Sequence, residues 1–391
     1  MAKDLQQLLD DAATDPGVVG GVAAAFDASD TLSLQAFGQQ RIDDDAPMQA
    51  DTVFAIMSMT KPLTGAAAMQ LVERGQLSLD TDAGEVCSHL GEAQVLEGFT
   101  AEGEPLLRKP SGRITLRQLL THTSGFVYDT WNADMLQYMA HTETPDIATL
   151  KRAALNVPIL FDPGNRWEYG IGIDWVGQMV ETVSGQTLGE YLAEHLTGPL
   201  GMADTAFAAT ESMATRRVPI HLRKSDASLK PLPIGDVAEP EFEMGGGGLL
   251  STAADFGRFI RMMLRGGELD GQRVLQQDTV VQMGKNQIGD LRVKPLKSVL
   301  PKLSGDAEFF PGEPKTWGLS FQISESACAT GRAAGTLMWA GLANTYFWID
   351  PVAQLGGVFL SQVFPFVDPK ILNHYYNYEA AVYAAYAKEP M

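Results

Sequence analysis

The chain has 391 residues, of which 45% are hydrophobic and 20% charged, enough to bury the core of one large domain or two medium ones. A formal charge of −19 repels polyanions before contact, which excludes nucleic acid and an anionic membrane surface as general partners and leaves a neutral or cationic small molecule as the easier one to admit. Its two cysteines, Cys87 and Cys328, stand far apart and outside any metal-ligand spacing, as expected of a reducing compartment.

The opening stretch MAKDLQQLLDDAATDPG has a helical pattern and lacks a basic segment followed by an apolar one, so no secretory signal is read and a cytoplasmic location is expected. GVVGGVAAAF (residues 17–26) and TLSLQAF (31–37) flank the turn residues DASD, which predicts an antiparallel hairpin. Such apolar runs are about half the ~20 residues a membrane helix needs, so no span is expected. LTGAAAMQLVERG (63–75), TLRQLLTHTSG (115–125), IGIDWVGQMVETVSG (171–185) and TLGEYLAEHLTGPLG (187–201) each carry apolar residues at helical spacing before a glycine stop.

Strand character returns with WGLSFQI (317–323), GTLMWAG (335–341), TYFWIDP (345–351) and LGGVFLSQV (355–363). ILNHYYNYEAAVYAAYA (371–387) then predicts a closing helix. Strands at both ends around a helical middle predict an α+β fold: residues 1–57 and 206–391 form an antiparallel sheet flanked by helices, residues 58–205 a mostly helical domain, with the site at their junction. Residues 290–314, rich in proline, glycine and lysine, are expected to be a long surface loop near that site. The glycines at 245–248 lack a following Lys-Ser or Lys-Thr and read as a tight loop behind it.

In SMTK, Ser58 and Lys61 are three residues apart and share a helix face, and Pro62 favours a first helical turn. A serine becomes a nucleophile when a neighbour takes its proton, and a lysine does so when burial brings its pKa toward neutrality. Alone, so short a pattern more often means a capping serine and a solvated lysine. Tyr169, in PGNRWEYG, follows a turn before an apolar helix, where a phenol could relay a proton. In MWAGLANTYFWIDP, Ala340 and Gly341 let backbone approach a ligand, and the N–H just after Gly341 could complete an oxyanion hole. The six histidines show no paired-ligand spacing, and His122 reads as structural; no G-x-S-x-G elbow occurs.

Taken in order, SMTK, LLTHTSGFVYD, PGNRWEYG, GPLGM, GGGLLSTAADFGRF and WAG resemble the serine β-lactamase-like family over nearly the whole chain, from about Gly20 to Val363. They are most similar to the family VIII carboxylesterases, which look like class C β-lactamases and DD-peptidases. The resemblance implies a β-lactamase/DD-peptidase-like fold and a two-step acyl-enzyme mechanism without metal or organic cofactor. It implies Ser58 as nucleophile, Lys61 as base, Tyr169 as proton relay, and the N–H groups of Ser58 and Leu342 as the oxyanion hole. Tyr128, Trp339 and Gly341 would contact substrate.

Two departures matter. Trp339 stands where the lactamases and peptidases carry a cation, and Tyr169 is followed by Gly170 and Ile171 where a lactamase has Y-x-N. Both shift the expected substrate from a β-lactam or peptidyl-D-alanine to a small neutral ester, with a preference for short acyl chains that rests on the resemblance. The rivals are a β-lactamase or D-alanyl peptidase with Lys297, Lys302 or Arg332 replacing the cation, an acyltransferase using the same acyl-enzyme, and a non-catalytic penicillin-binding sensor.

Overall fold

The computed structural model describes residues 5–233, 235 and 237–387. Its centre is a seven-stranded sheet in the order β3-β4-β5-β6-β7-β1-β2, antiparallel throughout. β1 (Gly20–Asp27) and β2 (Thr31–Gly38) come from the start of the chain. β3 (Lys315–Trp317), β4 (Gln322–Ser324), β5 (Leu337–Gly341), β6 (Thr345–Asp350) and β7 (Leu355–Leu360) come from its end. The two sets join where β1 pairs with β7, Val22 facing Leu360.

β5, β6 and β7 are buried along their whole length, because helices cover both faces of the sheet. Side chains alternate faces along a strand, and β6 shows what each meets. Tyr346 stacks on Tyr375 of α5 (Pro369–Tyr386), with ring centroids 4.5 Å apart, whereas the next residue, Phe347, meets Phe256 of α4 (Ala253–Leu264) at 5.1 Å. α1 (Leu5–Ala13) packs beside α5.

Between the two sheet halves lie α2 (Thr60–Glu73) and α3 (Gly172–Ser184), packed on each other. α3 stops as the glycine pattern predicts, with Gly185 at φ +73 in the left-handed region. Three expectations need correction. TLRQLL gives only Leu116–Leu120, ending at Thr121 well before Gly125, because His122 turns to φ +56. WGLSFQI is not one strand: the Gly318 N–H bonds back to Phe321 O, a turn that separates β3 from β4. A hairpin of Val95–Phe99 and Pro105–Arg108 interrupts the helical middle and escapes pattern reading because Leu106 and Leu107 point to solvent.

α5 also holds Glu379, which pairs with Arg332; both side chains are 0% exposed. Arg332 donates from Nε to Glu379 (2.7 Å) and from Nη2 to the Tyr375 hydroxyl (2.8 Å). Glu379→Gln leaves a buried guanidinium without its counter-charge, and a loss of about 3–5 kcal/mol is expected, read as a lower urea midpoint with the slope unchanged. An unchanged midpoint would show that the hydroxyls around Arg332 suffice.

Candidate active site

Ser58 lies in a 3₁₀ turn, Met57–Met59, that runs into α2 at Thr60, so the serine precedes the helix and its side chain does not cap it. The turn is tight. Met57 sits at φ +49, a conformation costly for a side-chain-bearing residue, and its surroundings hold it there. The Ile56 N–H bonds Leu249 O (3.1 Å), and Ile56 O accepts from Thr345 Oγ1 (3.1 Å). The end of β5 presses on the same turn: a Cβ on Gly341 would lie 2.3 Å from Ile56 O and 2.9 Å from Met57 Cβ. Gly341 is therefore required by the approach of strand to turn.

Lys61, one residue into α2 and 0% exposed, reaches back to Ser58. Its Nζ lies 3.0 Å from Ser58 Oγ, 3.1 Å from the Tyr128 hydroxyl and 2.6 Å from Gly246 O. Three acceptors match the three donors of an ammonium. Burial nevertheless lowers its pKa from 10.5 to about 7, against the opposing pull of Asp174. When the proton leaves, Nζ gains a lone pair, and the partner free to donate toward it is Ser58. Gly246 O has no proton, and Tyr128 directs its own to Asp174 Oδ2 at 3.4 Å.

Asp174 is the functional candidate that pattern reading missed. It lies in the first turn of α3, 0% exposed, and Oδ1 accepts the Gly246 N–H at 2.8 Å. The backbone N–H and C=O of Gly246 thus bridge Asp174 and Lys61, and Tyr128 makes a second bridge between them. Burial raises the Asp174 pKa, and Lys61 opposes the shift. The only sequence signal was an acidic residue on the apolar side of a helix. The glycine loop also differs from expectation: it forms part of the site, since Gly246 holds Lys61 and Gly247 borders the cavity.

Tyr169 approaches from the segment before α3 and donates to Ser58 Oγ at 2.7 Å. Behind it, Trp339 Nε1 donates to the Tyr169 oxygen at 3.0 Å. An indole N–H can only donate, so this contact turns the phenol proton toward Ser58. Burial holds the Tyr169 pKa well above its usual value of 10.0. Trp339, 2% exposed, is not among the residues that border the Ser58 cavity, and it supports Tyr169 from behind. His122 accepts the Gly170 N–H (3.4 Å) and packs edge-on to Tyr169, the structural part expected of it.

Two cavities flank Tyr169. One, of about 290 Å³, is bordered by Ser58, Leu342, Tyr128, Trp131, Gly247 and Leu303, among others. Ser58 and Leu342, whose N–H groups are expected to form the oxyanion hole, both border it. The other, of about 220 Å³, lies between Trp131, Trp167, Glu168 and the segment from Lys294 to Lys297. The 290–314 loop therefore reaches the site from two sides, at Leu303 and at Lys294. Of the cations proposed to replace the missing one, Arg332 is spent on Glu379, and Lys297 is an exposed side chain paired with Asp306 at 2.8 Å.

The Beta-lactamase family profile matches residues 5–381. The chain is 31% identical over 361 residues to the lovastatin esterase of Penicillium rubens, covering 89% of this chain and 90% of that protein. It is 30% identical over 387 residues to the monacolin J acid methylbutanoyltransferase of Aspergillus terreus, covering 94% and 92%. A LovD6 mutant of simvastatin synthase from Aspergillus terreus has a similar structure, with a TM-score of 0.84, 30% identity and coverage of 98% and 96%. The expected antiparallel sheet with flanking helices is thus the β-lactamase/DD-peptidase-like fold. A profile match across almost the whole length, joined by an esterase and acyltransferases that align end to end, makes the chain a member of the Beta-lactamase family, among its serine acyl-enzyme hydrolases and acyltransferases.

Proposed function

We propose that the chain is a serine esterase acting on small neutral or cationic esters through an acyl-enzyme. The observation that carries this reading is the buried Lys61 amine, 3.0 Å from Ser58 Oγ, with a pKa brought to about 7. Ser58 Oγ attacks the ester carbonyl as its proton passes to Lys61, and the N–H groups of Ser58 and Leu342 receive the oxyanion. As the C–O bond breaks, Tyr169 gives its proton to the leaving alkoxide and is reprotonated from Lys61. Water, or another alcohol, then enters by the reverse path, loses its proton through Tyr169 and Lys61, and releases the acyl group from Ser58.

Acyl transfer is a second reading, favoured by the 220 Å³ cavity beyond Tyr169, which offers an acceptor alcohol a place beside the proton relay. The methylbutanoyltransferase relative supports it. A β-lactamase or peptidase is disfavoured because, among the described residues, no lysine or arginine borders the Ser58 cavity to hold a substrate carboxylate.

The test compares p-nitrophenyl butyrate with nitrocefin, and repeats the ester assay with added 1-butanol. Ester kcat/KM is expected to exceed that for nitrocefin by about 100-fold or more. Butyl butyrate forming at the expense of butyrate would establish transfer. Dominant nitrocefin turnover would refute the ester assignment.

A further inference from the structure

We infer that the cavity beside Ser58 is the acyl chamber and that its carboxylates, Asp129 and Asp146, select acyl groups carrying a cation over neutral and anionic ones. This rests on the acyl-enzyme reading above. An acyl group bonded to Ser58 Oγ must lie in a chamber that Ser58 borders. Of the two cavities flanking Tyr169, only the 290 Å³ one qualifies, and Leu342, the second oxyanion donor, borders it too. Tyr169 borders both, so an alcohol held in the 220 Å³ cavity meets the proton relay from the other side.

The walls of the acyl chamber have an uneven chemistry. Tyr128, Trp131 and Phe364 supply aromatic surface, Leu303 and Met244 aliphatic surface, and among the described residues the charged groups are Asp129 and Asp146 alone. Asp129 is 9% exposed and belongs to the turn Asp129–Trp131; burial, and then Asp146, raise its pKa. Asp146 stands exposed at the rim, its Oδ1 accepting the Ala148 N–H at 2.7 Å.

A carboxylate at the wall of a largely apolar chamber loses hydration when an acyl chain fills it, and a cationic chain restores the lost interaction. Aromatic faces attract the same cation, and the −19 charge of the chain draws it in. A carboxylate-bearing chain would meet like charge, with no lysine or arginine among the described residues of the walls to compensate. At about 30 Å³ per heavy atom, the volume a water takes in the liquid, the chamber holds roughly nine or ten heavy atoms.

The experiment uses two p-nitrophenyl esters of the same shape, 4-(trimethylammonio)butyrate and 5,5-dimethylhexanoate, which differ in a quaternary nitrogen for a quaternary carbon. In the wild type, kcat/KM for the cationic ester is expected to exceed that for the neutral one by about tenfold. In Asp129→Asn with Asp146→Asn the ratio is expected to fall several-fold toward one, the aromatic walls keeping a small remainder. Reading the ratio within each protein cancels any loss of fold or nucleophile, and asparagine can still bond the local backbone as the aspartates do. A wild-type ratio of one or below overturns the inference while leaving the esterase standing, as does a ratio that both substitutions leave undiminished. Failure to cleave either ester removes the acyl-enzyme reading and the inference with it.

Discussion

Replacing Ser58 by alanine is expected to lower kcat/KM for p-nitrophenyl butyrate by about 10⁴-fold or more, the scale on which removal of a nucleophile acts when binding and oxyanion donors remain. The fold should survive. Ser58 is half-buried, it caps no helix, and its Oγ accepts from Lys61 and Tyr169 without joining the sheet or its covering helices. The positive φ that shapes the turn belongs to Met57, which the substitution leaves in place. Alanine also relieves the Lys61 amine of one acceptor, and Tyr128 and Gly246 remain to hold it. The thermal midpoint is therefore expected to move by less than about 1 °C, consistent with a change of a few tenths of a kcal/mol in a chain of this size. Undiminished turnover with the same circular dichroism spectrum would remove Ser58 from the chemistry. An unfolded variant would point to a structural part for its hydroxyl that the contacts do not suggest.

The sequence announced the sheet because its strands are short, apolar and bounded by turn residues, and because the first hairpin carries both strands and turn within residues 17–37. It announced Ser58, Lys61 and Tyr169 because each stands in an ordered motif whose local pattern fixes its place near an element's start. What stayed hidden depends on contacts far apart along the chain. Asp174 acquires its meaning from Gly246, 72 residues away, and Tyr128 from Lys61, 67 residues away. Trp339 looked like a missing cation because motif comparison sees the place and not the partner; 170 residues from Tyr169, it supplies an N–H that aims the phenol. The break in WGLSFQI was hidden for the same reason. Leu120 O receives both the Ser320 N–H and Trp317 Nε1, and that distant helix-end carbonyl fixes the turn which the apolar run conceals.

Lys61→Met keeps the length and apolar stem of the side chain and removes the base, and kcat/KM is expected to fall by about 10³-fold. The pH dependence separates this from simple loss of packing. With a pKa near 7, Lys61 is protonated below that pH and cannot take the serine proton; above it the amine is neutral and can. Wild-type kcat/KM should therefore rise with pH through about 7 and level off. Tyr169 adds no falling limb below pH 10, because burial keeps its proton on. The rising limb belongs to Lys61 and Asp174 together, since each carries the other's charge in its own shift. Asp174→Asn removes the negative charge that raises the Lys61 pKa, so the limb should move below 7 while the residual rate stays serine-dependent. Movement of the limb to higher pH would mean that Asp174 is not the group Lys61 feels. A profile flat from pH 5 to 9 in the wild type would mean that Lys61 is not the base, whatever the activity of Lys61→Met.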